Sequence, residues 1–191
     1  MSTNKVGAGD GLPKLYPVPN FRRYAVYVIN NDPGNRTDLK QMIIETLFDE
    51  LENQSFQNIR FNGAFPADDE NILVACENED TAKFFISAME KLGPSYSTAR
   101  YIEFLGLVPC SMVLAVPTHS RSEILDILET YNKGLVTEKW AIMERYFEGS
   151  EKDDRKEIVK MCIDAESKQF IELCGSELNC ELSTVQFKFD D

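Results

Sequence analysis

Lys139, Arg145, Lys160 and Lys188 are the residues whose types and spacing suggest a binding surface. Side chains alternate between the two faces of a strand. If Val159, Met161, Ile163, Val185, Phe187 and Phe189 face a core, Lys160 and Lys188 face outward. If Trp140, Ile142 and Tyr146 are also core, Lys139 and Arg145 join them, beside Thr184 and Gln186. Residues 111–191 carry 10 basic and 17 acidic residues, so four cations on one sheet face would be a real segregation. Such a face suits the phosphates of single-stranded RNA. The same pattern arises where lysines merely occupy solvent-facing strand positions and protect sheet edges.

Catalytic chemistry has less to work with. His119 lies between Thr118 and Ser120, not far from Cys110, so a Cys-His or Ser-His pair is conceivable. A nucleophile of that kind needs an oriented base and an oxyanion hole, and no Gly-x-Ser-x-Gly elbow supplies one. The one histidine in the chain excludes sites that need two. Asp68-Asp69-Glu70 and Asp153-Asp154 lack the alternating ligands, glycine and distal glutamate of a calcium loop, and read as solvated loops. No phosphate-binding glycine loop follows any strand. The expectation is a non-enzyme with no catalytic residues, no metal site and no cofactor.

The 191 residues include 20 Lys and Arg against 32 Asp and Glu, a net charge of −12. That balance argues against binding double-stranded DNA, which needs a basic field. Met1–Gly11 has no apolar segment and no run approaches a membrane span. Five cysteines without a Cys-x-x-Cys pair suggest free thiols in a reducing compartment. The expected location is therefore intracellular, cytoplasmic or nuclear, with no membrane partner. The sequons at Asn35 and Asn53 then carry no glycan.

The elements that position these residues alternate in type. Residues 1–20, rich in Gly and Pro, predict a flexible arm. Residues 24–29 read as a strand, and Leu39, Met42, Ile43, Leu47 and Leu51 mark the buried side of a helix. Strands follow at 59–61, ending at Gly63, and at 71–76. A helix with Ala82, Phe85, Ile86, Met89 and Leu92 on one side stops at Gly93-Pro94, and 100–104 reads as a short closing strand. The order then recurs. A strand at 112–116 leads to a helix opened by the capping box Ser120-x-x-Glu123, with Gly134 as a C-cap. Strands at 138–147 and 158–163, a helix at 165–174 and a strand at 182–189 complete it.

This is βαββαβ twice, with an offset of about 85 residues. The sequence predicts an α+β protein of two tandem ferredoxin-like units packed as one globule. The arm covers 1–20, the first unit 21–106 and the second 107–191. The connection Leu105–Cys110 is short and apolar, unlike a flexible linker.

The run Tyr131-Asn132-Lys133-Gly134-Leu135-Val136-Thr137-Glu138-Lys139-Trp140 resembles the Asn-x-Gly-Leu-x-Thr-x-x-Trp signature of an uncharacterised domain family. That family is abundant in insects and occurs in retroelement-associated proteins. The strand ending at Pro117 and the hydrophobic-x-Asp turn ending at Asp164 fit the same pattern. The resemblance spans roughly residues 24–189 and implies a tandem fold like that of RNA-recognition motifs, with no catalytic residues. The signature also has a purely structural reading: Gly134 caps a helix, Leu135 plugs the core and Trp140 is the first buried residue of a strand.

RNA-recognition motifs stack bases on aromatics of their two central strands. Here only the 24–29 strand offers aromatics there, Tyr24 and Tyr27, pointing to opposite faces. The Lys/Arg-Gly-aromatic-x-aromatic run is absent. The leading expectation is therefore a protein-interaction module that binds another protein, retroelement-derived or retroelement-regulating. The alternative is a single-stranded RNA-binding protein using the Lys139, Arg145, Lys160 and Lys188 face. The segment Leu12–Pro19 is expected to dock on its own domain.

Overall fold

The computed structural model describes residues 16–32, 38–53, 58–68, 70–114, 121–149, 156–181 and 183–189. In chain order the first unit runs α1 (Pro19–Arg22), β1 (Val26–Asn30), α2 (Leu39–Asn53), β2 (Phe61–Pro66), β3 (Ile72–Cys76), α3 (Glu79–Met89), a 3-10 turn at Glu90–Leu92 and β4 (Tyr96–Arg100). The short helix α4 (Tyr101–Phe104) leads to β5 (Val108–Leu114), α5 (Arg121–Tyr131), β6 (Ala141–Glu148), β7 (Lys156–Ile163), α6 (Ala165–Leu173), β8 (Glu177–Cys180) and β9 (Ser183–Phe189). The sheets are antiparallel, ordered β2-β3-β1-β4 and β6-β7-β5-β9-β8. Strand order and helix placement make each half a ferredoxin-like unit, so the α+β tandem architecture holds.

Each unit has a helix-side core. In the first, Val26, Val28, Val74 and Cys76 meet Ile43, Ala82, Phe85 and Met89. In the second, Met112, Ile142, Val159, Met161 and Phe187 meet Ile124, Leu128, Trp140 and Ile171. A third cluster joins the units: Ala25, Tyr27, Leu73, Tyr101, Leu107, Ala141 and Cys162. β1 therefore buries consecutive residues on both faces, as Val26, Tyr27 and Val28 show, a pattern expected only where both sides of a strand are covered. Arg22 fastens the join. Its Nε donates to the Pro17 carbonyl at 2.7 Å and one terminal nitrogen to the Trp140 carbonyl at 2.7 Å. Arg23 donates to the Met143 carbonyl, and the Tyr101 hydroxyl donates to the Lys139 carbonyl at 3.0 Å.

Several expectations are corrected. Residues 100–104 are not a closing strand: that role falls to Tyr96–Arg100, and the next four residues turn into α4. An apolar pair such as Ile102 and Leu105 cannot by itself tell a strand from a single helical turn. Gly63 does not end its strand. It sits at a bulge, at φ 135°, and pairing continues to Pro66. Part of the segment read as an arm is helical at Pro19–Arg22. The edge strand β8 was missed because four polar-flanked residues carry little periodicity. Leu51 does not lie on the buried face of α2 but is 38% exposed. Residues 1–15, the sequon at Asn35, His119, Ser120 and the Asp153-Asp154 pair lie outside the described residues.

Candidate binding faces

The second sheet turns one face to its helices and the other outward. Register places Glu144, Lys160, Ser111 and Lys188 in one row across β6, β7, β5 and β9. Lys160 and Lys188 thus share the outward face two strands apart, with Ser111 between them. Gln186 follows on the same face opposite Val113. Lys160 is held at 3.2 Å from Glu144 and its ammonium lies 5.2 Å from the centre of the Tyr146 ring. The cation is thus partly balanced where it stands.

Arg145 and Lys139 do not join that face. A bulge between Ile142 and Glu144 shifts the parity of β6 by one residue. Tyr146 therefore pairs with Ile158 on the outward side, while Arg145 pairs with Val159 on the helix side. There the Arg145 guanidinium meets Glu157, with one contact at 2.6 Å. The Glu157 side chain is fully buried, so Arg145 serves as counter-ion to a carboxylate that could not otherwise be desolvated. Lys139 precedes β6 and lines a cleft of about 250 Å³ with Gly134, Val136, Asp164, Glu166 and Phe170. Alternation alone could not reveal this, since strict period two assumes no bulge.

The first sheet is different. Its corresponding row is Phe65, Leu73, Tyr27 and Ala99. The ring of Phe104 stacks on Tyr27 at 3.9 Å between centroids, and Tyr101 stacks at 6.0 Å. Tyr16 meets Tyr101 edge-on. Tyr24 instead packs with the helix-side core, so the two tyrosines do point to opposite faces. Phe104 is the last residue of α4, which follows β4 directly and ends in a Schellman turn. The N–H of Gly106, at φ 60°, donates to Glu103 and that of Leu107 to Ile102.

Burial pushes the Tyr101 and Tyr27 hydroxyls and the Cys162 and Cys180 thiols above their ordinary values, and raises Cys76 to about 12. None of these is the lowered thiol that nucleophilic chemistry wants. Of the five free cysteines, Cys174 is exposed. Among the described residues, no group of three or more His, Cys, Asp or Glu could hold a metal ion, and no helix is long and apolar enough to cross a membrane.

The signature residues form a structural clasp. The Asn132 amide donates to the Leu128 and Asn179 carbonyls and accepts from the Asn179 N–H, tying α5 to β8. Gly134 adopts φ 98°. Leu135 and Trp140 are buried, Thr137 Oγ donates to Glu129 at 2.8 Å and Trp140 Nε1 donates to Ser167 at 3.0 Å.

A row that sequence reasoning overlooked lies on α2. Ile44 is 38% exposed, Phe48 64% and Leu51 38%. The signal was available in part: with Leu51 assigned to the buried side, Ile44 and Phe48 still remain as an apolar pair at i and i+4.

None of the curated proteins matches the chain. Among solved structures, the chain is similar to the Caenorhabditis elegans NONO-1 homodimer at 11% identity and a TM-score of 0.40, covering 91% of this chain and 65% of that one. It is also similar to the N-terminal three RNA-binding domains of the yeast splicing factor Prp24, at 12% identity and a TM-score of 0.26, covering 90% and 68%. A family model described as a domain of unknown function, DUF4780, matches residues 17–188, so the chain belongs to that family.

Proposed function

We propose that this chain is a non-enzymatic intracellular protein-interaction module. One observation carries the reading: the first sheet's row at Tyr27, where bases would stack, is already filled by Phe104 and Tyr101. The matching row of the second sheet has Ser111 and Lys160 on its central strands, and the aromatic nearest to it, Tyr146, stands on the edge strand β6 with the Lys160 ammonium against its ring. What remains accessible is side-chain surface of the kind proteins recognise. The test is affinity capture from native tissue with and without RNase, followed by reconstitution from purified components. A stoichiometric complex that survives RNase and re-forms supports the reading. Complexes that all vanish with RNase overturn it. The retroelement connection implied by the family resemblance makes retroelement-associated proteins the first partners to examine, and their absence from the reconstituted complexes would remove that element.

A second reading rests on Lys160 and Lys188, which flank Ser111 on the outward face. It expects single-stranded RNA affinity that falls steeply with salt and is lost in a Lys160→Glu, Lys188→Glu variant. No binding at roughly 50 mM salt, where phosphate contacts are strong, would sink it.

A further inference from the structure

We infer that the exposed face of α2 is the docking site for a basic amphipathic helix of a partner protein. The inference rests on the interaction-module reading and names its surface and occupant. Ile44, Phe48 and Leu51 stand in one row at i, i+4 and i+7, the register by which one helix packs along another. Glu45, Asp49 and Glu52 stand in a parallel row at the same spacing, and all three are exposed. The opposite flank descends into the core at Ile43 and Leu47. There Glu50 is matched by Lys91.

The acidic row sets like charges side by side, with Glu45 accepting from Gln41 at 2.8 Å. Glu45 with Asp49, and Asp49 with Glu52, are like-charge neighbours on a helix surface. Asp49 and Glu52 also stand in the C-terminal part of α2, where the helix dipole favours cations, and its last turn has no basic residue. An apolar row edged by unfavourably placed carboxylates matches a helix that carries leucine-like side chains on one face and lysine or arginine beside them. The same charge argues against a second copy of this chain, since each copy carries −12 and would bring an acidic row.

The test uses the full chain and two labelled 18-residue helical peptides with leucine on one face, one otherwise lysine-rich and one glutamate-rich, read by fluorescence anisotropy. The lysine peptide should bind and the glutamate peptide should not. Phe48→Ser should weaken binding by about tenfold. An Asp49→Lys, Glu52→Lys variant should also weaken binding about tenfold while its melting temperature stays level or rises. That opposition between binding and stability is what a merely structural role would not give. Lysine-peptide binding that is absent, or unchanged in both variants, overturns the assignment. So does sedimentation showing a dimer lost in Phe48→Ser, which would make a second copy the occupant. Affinity that rises on deleting residues 1–15 would make the chain's own arm the occupant and overturn it too. If a reconstituted partner complex persists in Phe48→Ser with no change in affinity, the interaction reading stands and only this surface is wrong.

Discussion

The two sheets present their outward faces at the same register, yet one is covered there and the other is open along its charged row, though buried at Ala141 and Cys162. Phe65, Leu73, Tyr27 and Ala99 of the first row are matched by Glu144, Lys160, Ser111 and Lys188 of the second. One βαββαβ frame thus carries an apolar platform that needs shelter and a charged one that tolerates water. The shelter is local. α4 follows β4 at once and lays Phe104 on Tyr27, and the far unit's sheet adds Ala141, Met143 and Cys162. The ferredoxin-like frame therefore does not decide what its sheet binds. The residues that alternate away from the helices decide it.

The contrast predicts a graded series of effects. Tyr101→Ala removes a fully buried ring from the join and should cost about 3–5 kcal/mol in urea unfolding. Arg22→Met leaves the Pro17 and Trp140 carbonyls unpaired in the interior and should cost about 2–3 kcal/mol. Hydrogen exchange should then speed at the start of β6, where the latch is lost. If either variant is as stable as the parent, the first face is not held by the contacts described.

Alkaline titration should report on the buried groups of the first unit. Cys76 rises from 9.0 to about 12 by burial, and Tyr27 and Tyr101 rise above 10.0. In the unfolded chain these groups ionise first, so their stabilising contribution is complete below about pH 9 and is lost as pH climbs through 9 to 12 and beyond. Melting temperatures should fall over that range. A Cys76→Ala, Tyr27→Phe variant should fall less steeply, and a slope equal to the parent's would contradict the linkage. Phe104→Ala should cost about 1 kcal/mol, since the ring stacks on Tyr27 yet remains 40% exposed. Lys188→Ala on the open face should stay within about 0.5 kcal/mol. A larger loss there than at Phe104 would reverse the comparison.

Much of the frame was legible because hydrophobic period changes cleanly between two and 3.6. The α2 helix and the strands beginning near Val26 and Ile72 follow from that pattern, while the core roles of Leu135 and Trp140 follow from the structural reading of the signature run. The site was less legible. Lys160 and Lys188 share a face because β7 and β9 are regular between them. Arg145 was misplaced because one bulged residue reverses the parity of everything after it. Nor does the sequence say that a platform is covered: Tyr27 reads the same whether a base, a phenylalanine or water lies on it. The row on α2 was hidden because Leu51, which lies on the outside, was counted with the buried side, leaving Ile44 and Phe48 without their third member.

The position of α4 also bears on how the chain is made. The first unit leaves the ribosome before the second, and domains generally fold in that order. Phe104 and Tyr101 follow β4 directly, so the newly formed platform gets its first cover almost as soon as it exists. Ala141, Cys162 and the carbonyl of Trp140 that receives Arg22 arrive only after much more synthesis. Through that interval a folded first unit would have an incompletely sealed apolar sheet, with α4 as its local cover. A fragment ending at Leu107 should therefore bind a hydrophobic dye more strongly than the full chain does. Phe104→Ala in that fragment should increase the binding further.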